Sequence, residues 1–210
     1  MSTPFDQSRY QVRLDWGLDG LARLAPADVV IVVDVLRFSS TVTDTVDTGG
    51  SVALDETAHA VSINGAAVAA RAADDGSLVV LGCLRNASAV AGEVLAEQHR
   101  RGSRTTIAVI AAGERASRSD PPRFAVEDQL GAGAVIDALG ALGIDHTSPE
   151  AAAACESFRG LRAATRHLLT ASGSGQELIA RDRRDDVLRA AEVDASTAVP
   201  VLREGAFVAA

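Results

Sequence analysis

The stretch Val29-Val30-Ile31-Val32-Val33-Asp34 decides how this chain reads. Five β-branched apolar residues in a row cannot alternate between core and water. The run therefore reads as a strand covered on both faces, as in a parallel sheet flanked by helices. Two more runs share the texture, Leu78 to Leu81 and Thr105 to Ile110. Between and after them lie Ala-rich stretches with helical periodicity: Asn64 to Ala73, Ser88 to Arg101 and Val126 to Leu142. Strands alternating with helices predict an α/β three-layer sandwich, a largely parallel central sheet with Ala-rich helices on both faces.

Beyond Ile144 the spacing predicts a helix over Pro149 to Leu169, a loop over Ser172 to Gly175, and two short helices, Gln176 to Arg181 and Arg183 to Glu192. Ala198 to Leu202, with Pro200 inside an apolar run, reads as a short edge strand. Ser117 to Arg123, carrying Pro121 and Pro122, reads as a loop. No linker or repeat divides the sequence. A single domain over residues 1–210 is expected, its helical part over residues 145–195 packing on the same core.

The 210 residues hold 20 basic and 28 acidic side chains, a net charge of −8, and every basic one is Arg. Without Lys there is no Schiff base, no pyridoxal phosphate attachment and no Walker-type P-loop. Aromatic residues make up 3%. That leaves no interleaving of rings with basic residues, and nucleic acid is not an expected partner. Cys83 and Cys155 stand apart from any CxxC pair, so neither zinc nor a disulfide is indicated. Met1 to Arg13 lacks an apolar signal region, and Val29 to Val33 is far too short for a bilayer core of about 30 Å. The expectation is a cytoplasmic protein without membrane association.

In open parallel sheets ligands gather beyond the carboxyl ends of the strands. Asp34 stands there, followed by Arg37, Ser39, Ser40 and Thr41 where a helix would begin. A carboxylate, a guanidinium and hydroxyls at a helix N-terminus can bind a metal and an oxyanion together. Equally, Ser39 or Ser40 caps the helix while Asp34 pairs with Arg37. Asn86, after the second run, either caps the next helix or holds a ligand. Glu127 and Asp128 are ordinary first-turn acids for a helix dipole, unless the loop before them brings them to Asp34. In that case the carboxylates repel unless a cation such as Mg²⁺ joins them. Asn64-Gly65 is a tight turn able to offer N–H groups to an anion. The four histidines, His59, His99, His146 and His167, lack ligand spacing and read as surface residues.

Taken in order, several segments resemble the 2-phosphosulfolactate phosphatases of the coenzyme M biosynthetic route. Asp34-Val35-Leu36-Arg37-Phe38-Ser39-Ser40-Thr41 is similar to that family's Asp-Val-Leu-Arg-Ala-Ser/Thr signature. Asn64-Gly65, Gly82 with Asn86-Ala87, and Glu127-Asp128 followed by Gly131-Ala132-Gly133-Ala134 also match. So do Gly175 to Asp186 and Val199-Pro200-Val201-Leu202. The resemblance implies a three-layer α/β fold and a Mg²⁺-dependent phosphatase that cleaves 2-phospho-3-sulfolactate, or a related small anionic phosphoester, to 3-sulfolactate and phosphate. It implies Asp34, Arg37, Glu127 and Asp128 as catalytic residues, with Asp34, Glu127 and Asp128 on the metal. Arg37, Ser39, Ser40, Asn64, Gly65 and Asn86 would line the phosphate pocket. Gly50 to Ser62 is shorter than the corresponding family stretch, so part of the substrate wall is expected to be missing. The alternative is an anion-binding paralogue without turnover. An Ala-rich surface with long helices also suits a homodimer.

Overall fold

A computed structural model describes residues 3–56, 58, 62, 64–115 and 120–210. The run that opened the reading is β2 (Val29–Val33), and all five of its side chains are buried. It pairs in parallel with β4 (Leu78–Gly82) on one side and β5 (Ile107–Ala111) on the other. β1 (Val12–Trp16) lies outside β5, also parallel. Past β4 the sheet turns antiparallel through β6 (Pro200–Arg203), β7 (Ala206–Ala209) and β3 (Val52–Ala53). The seven-stranded order is β1-β5-β2-β4-β6-β7-β3. The chain is thus an α/β protein, as its apolar runs indicate.

Alternation along the strands divides the interior into two cores. Ile31, Val33, Val80, Ile107 and Val109 face α4 (Ala87–Arg101), α5 (Val126–Ala141) and α6 (Pro149–Leu161). Val30, Val32, Val79, Leu81 and Ile110 face α2 (Phe38–Asp47) and α3 (Gly65–Asp74). Burying each such aliphatic side chain contributes about 1.5–3 kcal/mol, which is what holds the sheet between its layers. α1 (Gly17–Arg23) follows β1. The C-terminal helices α7 (Thr165–Ala171), α8 (Gly173–Ala180) and α9 (Arg184–Ala190) add Leu169, Leu178 and Val187 to the first core.

Three expectations are corrected. Ala198 to Leu202 does contain a strand, but β6 lies between β4 and β7 and is not an edge. Pro200 is tolerated because it is the first residue of that strand. The helix expected over Pro149 to Leu169 is broken by a 3₁₀ turn at Arg162–Ala164. Ser172 to Gly175 is a helix start, not a loop: the Ser172 hydroxyl accepts from Gly175 N–H at 3.1 Å. His59 and residues 117–119 lie outside the described residues.

The outer edge of β1 is closed locally. Val12 exchanges bonds with His146 O and Ser148 N–H, and the Gln7 side-chain amide both donates to Leu14 O and accepts from Leu14 N–H. Trp16 N–H donates to the Asp15 carboxylate. Among the described residues no helix is long and apolar enough to cross a membrane.

Candidate active site

Register places the site. Val33 is level with Gly82 on one side and with Ala111 on the other, so the chain leaves β2 and β5 at a common rim. Asp34 is the first residue past that rim and is buried. It shares a reciprocal cap with α2. Phe38 N–H donates to Asp34 Oδ1 (3.2 Å), while Asp34 N–H donates to Ser39 Oγ (3.0 Å). Its other oxygen, Oδ2, accepts from Gly65 N–H (3.1 Å) and from the Ser62 hydroxyl (3.2 Å). Gly65 has to be glycine for this approach, because a Cβ there would lie 2.7 Å from Asp34 Oδ2.

Asp128 staples the same rim from the other layer. Its Oδ1 accepts from Val35 N–H (2.7 Å) and its Oδ2 from Gly113 N–H (2.9 Å), linking the ends of β2 and β5 to the first turn of α5. Glu127, its neighbour, accepts a very short hydrogen bond from the Ser174 hydroxyl at the start of α8. Among the described residues Glu127 Oε2 accepts no other hydrogen bond. Burial is the main force raising the Asp34 carboxyl above the ordinary carboxylate range, and the charge of Glu127 adds to it against three hydrogen bonds that pull the other way. Asp128 is pushed well above that range, first by burial, then by the charges of Asp34 and Glu127.

All three line one cavity of about 640 Å³, together with Arg37, Thr41, Asn64 and Glu114. Arg37 stands at its mouth with a side chain 29% exposed, 3.7 Å from Asp186 on α9. It is paired with Asp186 and not with Asp34. Asn64 contributes Oδ1, a buried acceptor with no donor partner among the described residues. Four residues expected along the anion pocket do not line it. Ser39 Oγ donates to Val32 O, and Ser40 Oγ donates to Val35 O. Asn86 is fully buried, accepting from Cys83 N–H and donating to Leu81 O and Ala198 O. Gly65 has its N–H committed to Asp34. Short hydroxyl and amide side chains after a strand are as useful for tying down backbone as for holding a ligand, and here the backbone takes them.

Ser62, Glu114 and Ser174 join the site without having been singled out in the sequence. The signal for Ser174 was the pattern Ser172-Gly173-Ser174-Gly175 ahead of an apolar helix, which marks a cap as well as a loop. None of His99, His146 and His167 lines the cavity. A family model described as 2-phosphosulpholactate phosphatase matches residues 51–205, a span that holds Asn64, Glu114, Glu127, Asp128 and Ser174 and begins after Asp34 and Arg37.

Proposed function

We infer the chemistry from one premise: the chain belongs to the 2-phosphosulpholactate phosphatase family. Its reaction is hydrolysis of a phosphoric monoester with a small anionic alcohol part. For 2-phospho-3-sulfolactate the products are 3-sulfolactate, a coenzyme M precursor, and phosphate. The observation that carries this reading is the meeting of Asp34, Glu127 and Asp128 with Arg37 around one cavity.

Three carboxyls beside a phosphate call for a cation, and Mg²⁺ is the cation of this reading. Among the described residues no three His, Cys, Asp or Glu side chains form a metal cage. The donors fit Mg²⁺ in its sparser form, with one or two carboxylates and the remaining positions left to water and phosphate. Asp34, Glu127 through its second oxygen, and the unpartnered Asn64 Oδ1 would hold it. When bound, Mg²⁺ offsets charge on the phosphoryl oxygens and acidifies a water. Asp128, expected with the ligands, takes the acid's role in this reading, because burial and the charges of Asp34 and Glu127 raise its carboxyl. In this role it would give a proton to the ester oxygen as the P–O bond breaks and take one back from the attacking water. Water supplies the oxygen that forms the new P–O bond. The three donors on Asp34 disfavour that carboxylate as a covalent nucleophile. Arg37 grips the phosphoryl oxygens as charge develops on them.

The test is phosphate release from 2-phosphosulfolactate, 2-phospholactate, 2-phosphoglycolate and p-nitrophenyl phosphate, with and without Mg²⁺. Wild type is expected to show metal-dependent release, and Asp34→Asn to lose about 10²-fold or more of it. Absence of release from all four, with vanadate still bound, would replace the phosphatase by an anion-binding protein.

A further inference from the structure

One hydroxyl on the cavity wall has surroundings that the reaction above does not use. Ser174, buried at the start of α8, has its Oγ 2.5 Å from Glu114 Oε2 and in still closer contact with Glu127 Oε1. The two glutamates come from different segments. Glu114 follows β5 and is held in a backbone bridge with Arg123, whose guanidinium also donates to Glu114 Oε2 at 2.9 Å. Glu127 belongs to the first turn of α5. Ser174 itself is fixed by the Ser172 hydroxyl, which donates to Leu169 O (3.0 Å) while accepting from Gly175 N–H.

Two carboxylates directed at one point repel each other and turn apart unless something bridges them. A hydroxyl has one hydrogen, which two carboxylate oxygens can only share, so it serves as that bridge only while both acids stay within reach of the same O–H. Turning away is costly for Glu114, which Arg123 and the backbone hold, and open to Glu127, which has no other bond among the described residues.

We propose that Ser174 is a positioning residue: by sharing its hydroxyl between Glu114 and Glu127 it holds the Glu127 carboxylate in the cavity, with its second oxygen left for the cation of the phosphatase reading. This rests on the phosphatase reading and adds to it the group that fixes the direction of one of its acids. The alternative, a hydroxyl that merely fills space at a helix start, predicts the same structure for α8 and no effect on turnover.

The experiment compares wild type with Ser174→Ala, Ser174→Cys and Ser174→Thr in the full chain. Steady-state kinetics on p-nitrophenyl phosphate, melting temperature and a crystal structure of the Ala variant are the readouts. Ser174→Ala is expected to lower kcat roughly tenfold to a hundredfold, the scale of a misplaced catalytic group, with KM within about threefold of wild type. Ser174→Cys keeps the volume but offers only a weak S–H donor, and is expected to show the same loss at an unchanged melting temperature. Ser174→Thr keeps the hydroxyl and is expected to recover to within about fivefold of wild type. In the crystal structure of Ser174→Ala, Glu127 should swing out of the cavity. The proposal is overturned if Glu127 keeps its place, if kcat is unchanged in the Ala and Cys variants, if only KM rises, or if Thr fails to rescue in a folded protein. A wild type without turnover removes the phosphatase reading and this inference together, whereas an active wild type with silent variants removes only the inference.

Discussion

Burial is the first cause that raises Asp34 and Asp128, and Glu127 is the charge that adds to it at both. A carboxyl raised in the folded state binds protons that the unfolded chain has already released. Stability must then fall as pH rises from the ordinary value of 3.8 through the raised folded values, and level off above them. Glu127→Gln removes one charge while leaving an acceptor for Ser174, so both aspartates move back towards the ordinary range. The melting temperature of the wild type, measured from pH 4 to pH 8 on the scale of ordinary carboxylates at about 4, is expected to decline more steeply than that of Glu127→Gln. Parallel curves for the two proteins would refute the coupling. At this scale the sequence was half legible. Asp34 announces itself by standing directly after five buried residues, and Glu127-Asp128 by their adjacency. The orientations of Ser39, Ser40 and Asn86 were not legible, because a hydroxyl or amide next to a strand end serves the backbone or a ligand equally well, and only the three-dimensional position of the carbonyls decides.

At the level of elements, α5 matters most, since it carries both Glu127 and Asp128 to the rim. What holds it there is close contact with α6, and Gly133 is the point of nearest approach: a Cβ at that position would fall 2.2 Å from Ala154 O. Gly133→Ala is therefore expected to push the helices apart and to lower stability by about 1–3 kcal/mol in urea unfolding, with activity falling in step. An unchanged midpoint would show that α6 can yield without cost. The elements most visible in the sequence were β2, β4 and β5, whose side chains are apolar throughout because both faces are covered. β1 was invisible for a physical reason. It mixes Arg13 and Asp15 with apolar residues, the Arg13 guanidinium donating to Tyr10 O and Ala25 O while Asp15 pairs with Arg23. β3 and β7 are short strands at the far antiparallel end, where too few residues follow one another to make a periodic pattern.

Across the molecule, the two halves of the chain are tied by Arg85. Its buried guanidinium reaches Asp44 at 3.0 Å on α2, Arg189 O at 3.0 Å in α9, and Glu192 at 2.7 Å just beyond it. The C-terminal helices that bring Ser174 to the cavity and Asp186 to Arg37 are thereby anchored to the layer that carries Asp34. The other global feature is the border of the sheet at β1, where Val12, Leu14 and Trp16 each have an outward backbone group already satisfied, Leu14 by the Gln7 amide. Gln7→Ala uncovers one N–H and one C=O on that border, at a cost of about 1–3 kcal/mol where they stay out of water. Light scattering of Gln7→Ala is expected to rise with protein concentration, and that of the wild type to stay flat; identical traces would show the remaining seals to be enough. A side chain that impersonates a neighbouring strand ends the sheet on its β1 side. Lateral recruitment of another copy, the opening move of fibril growth, is refused at that border by one glutamine acting with the chain at His146–Ser148 and the Asp15 carboxylate.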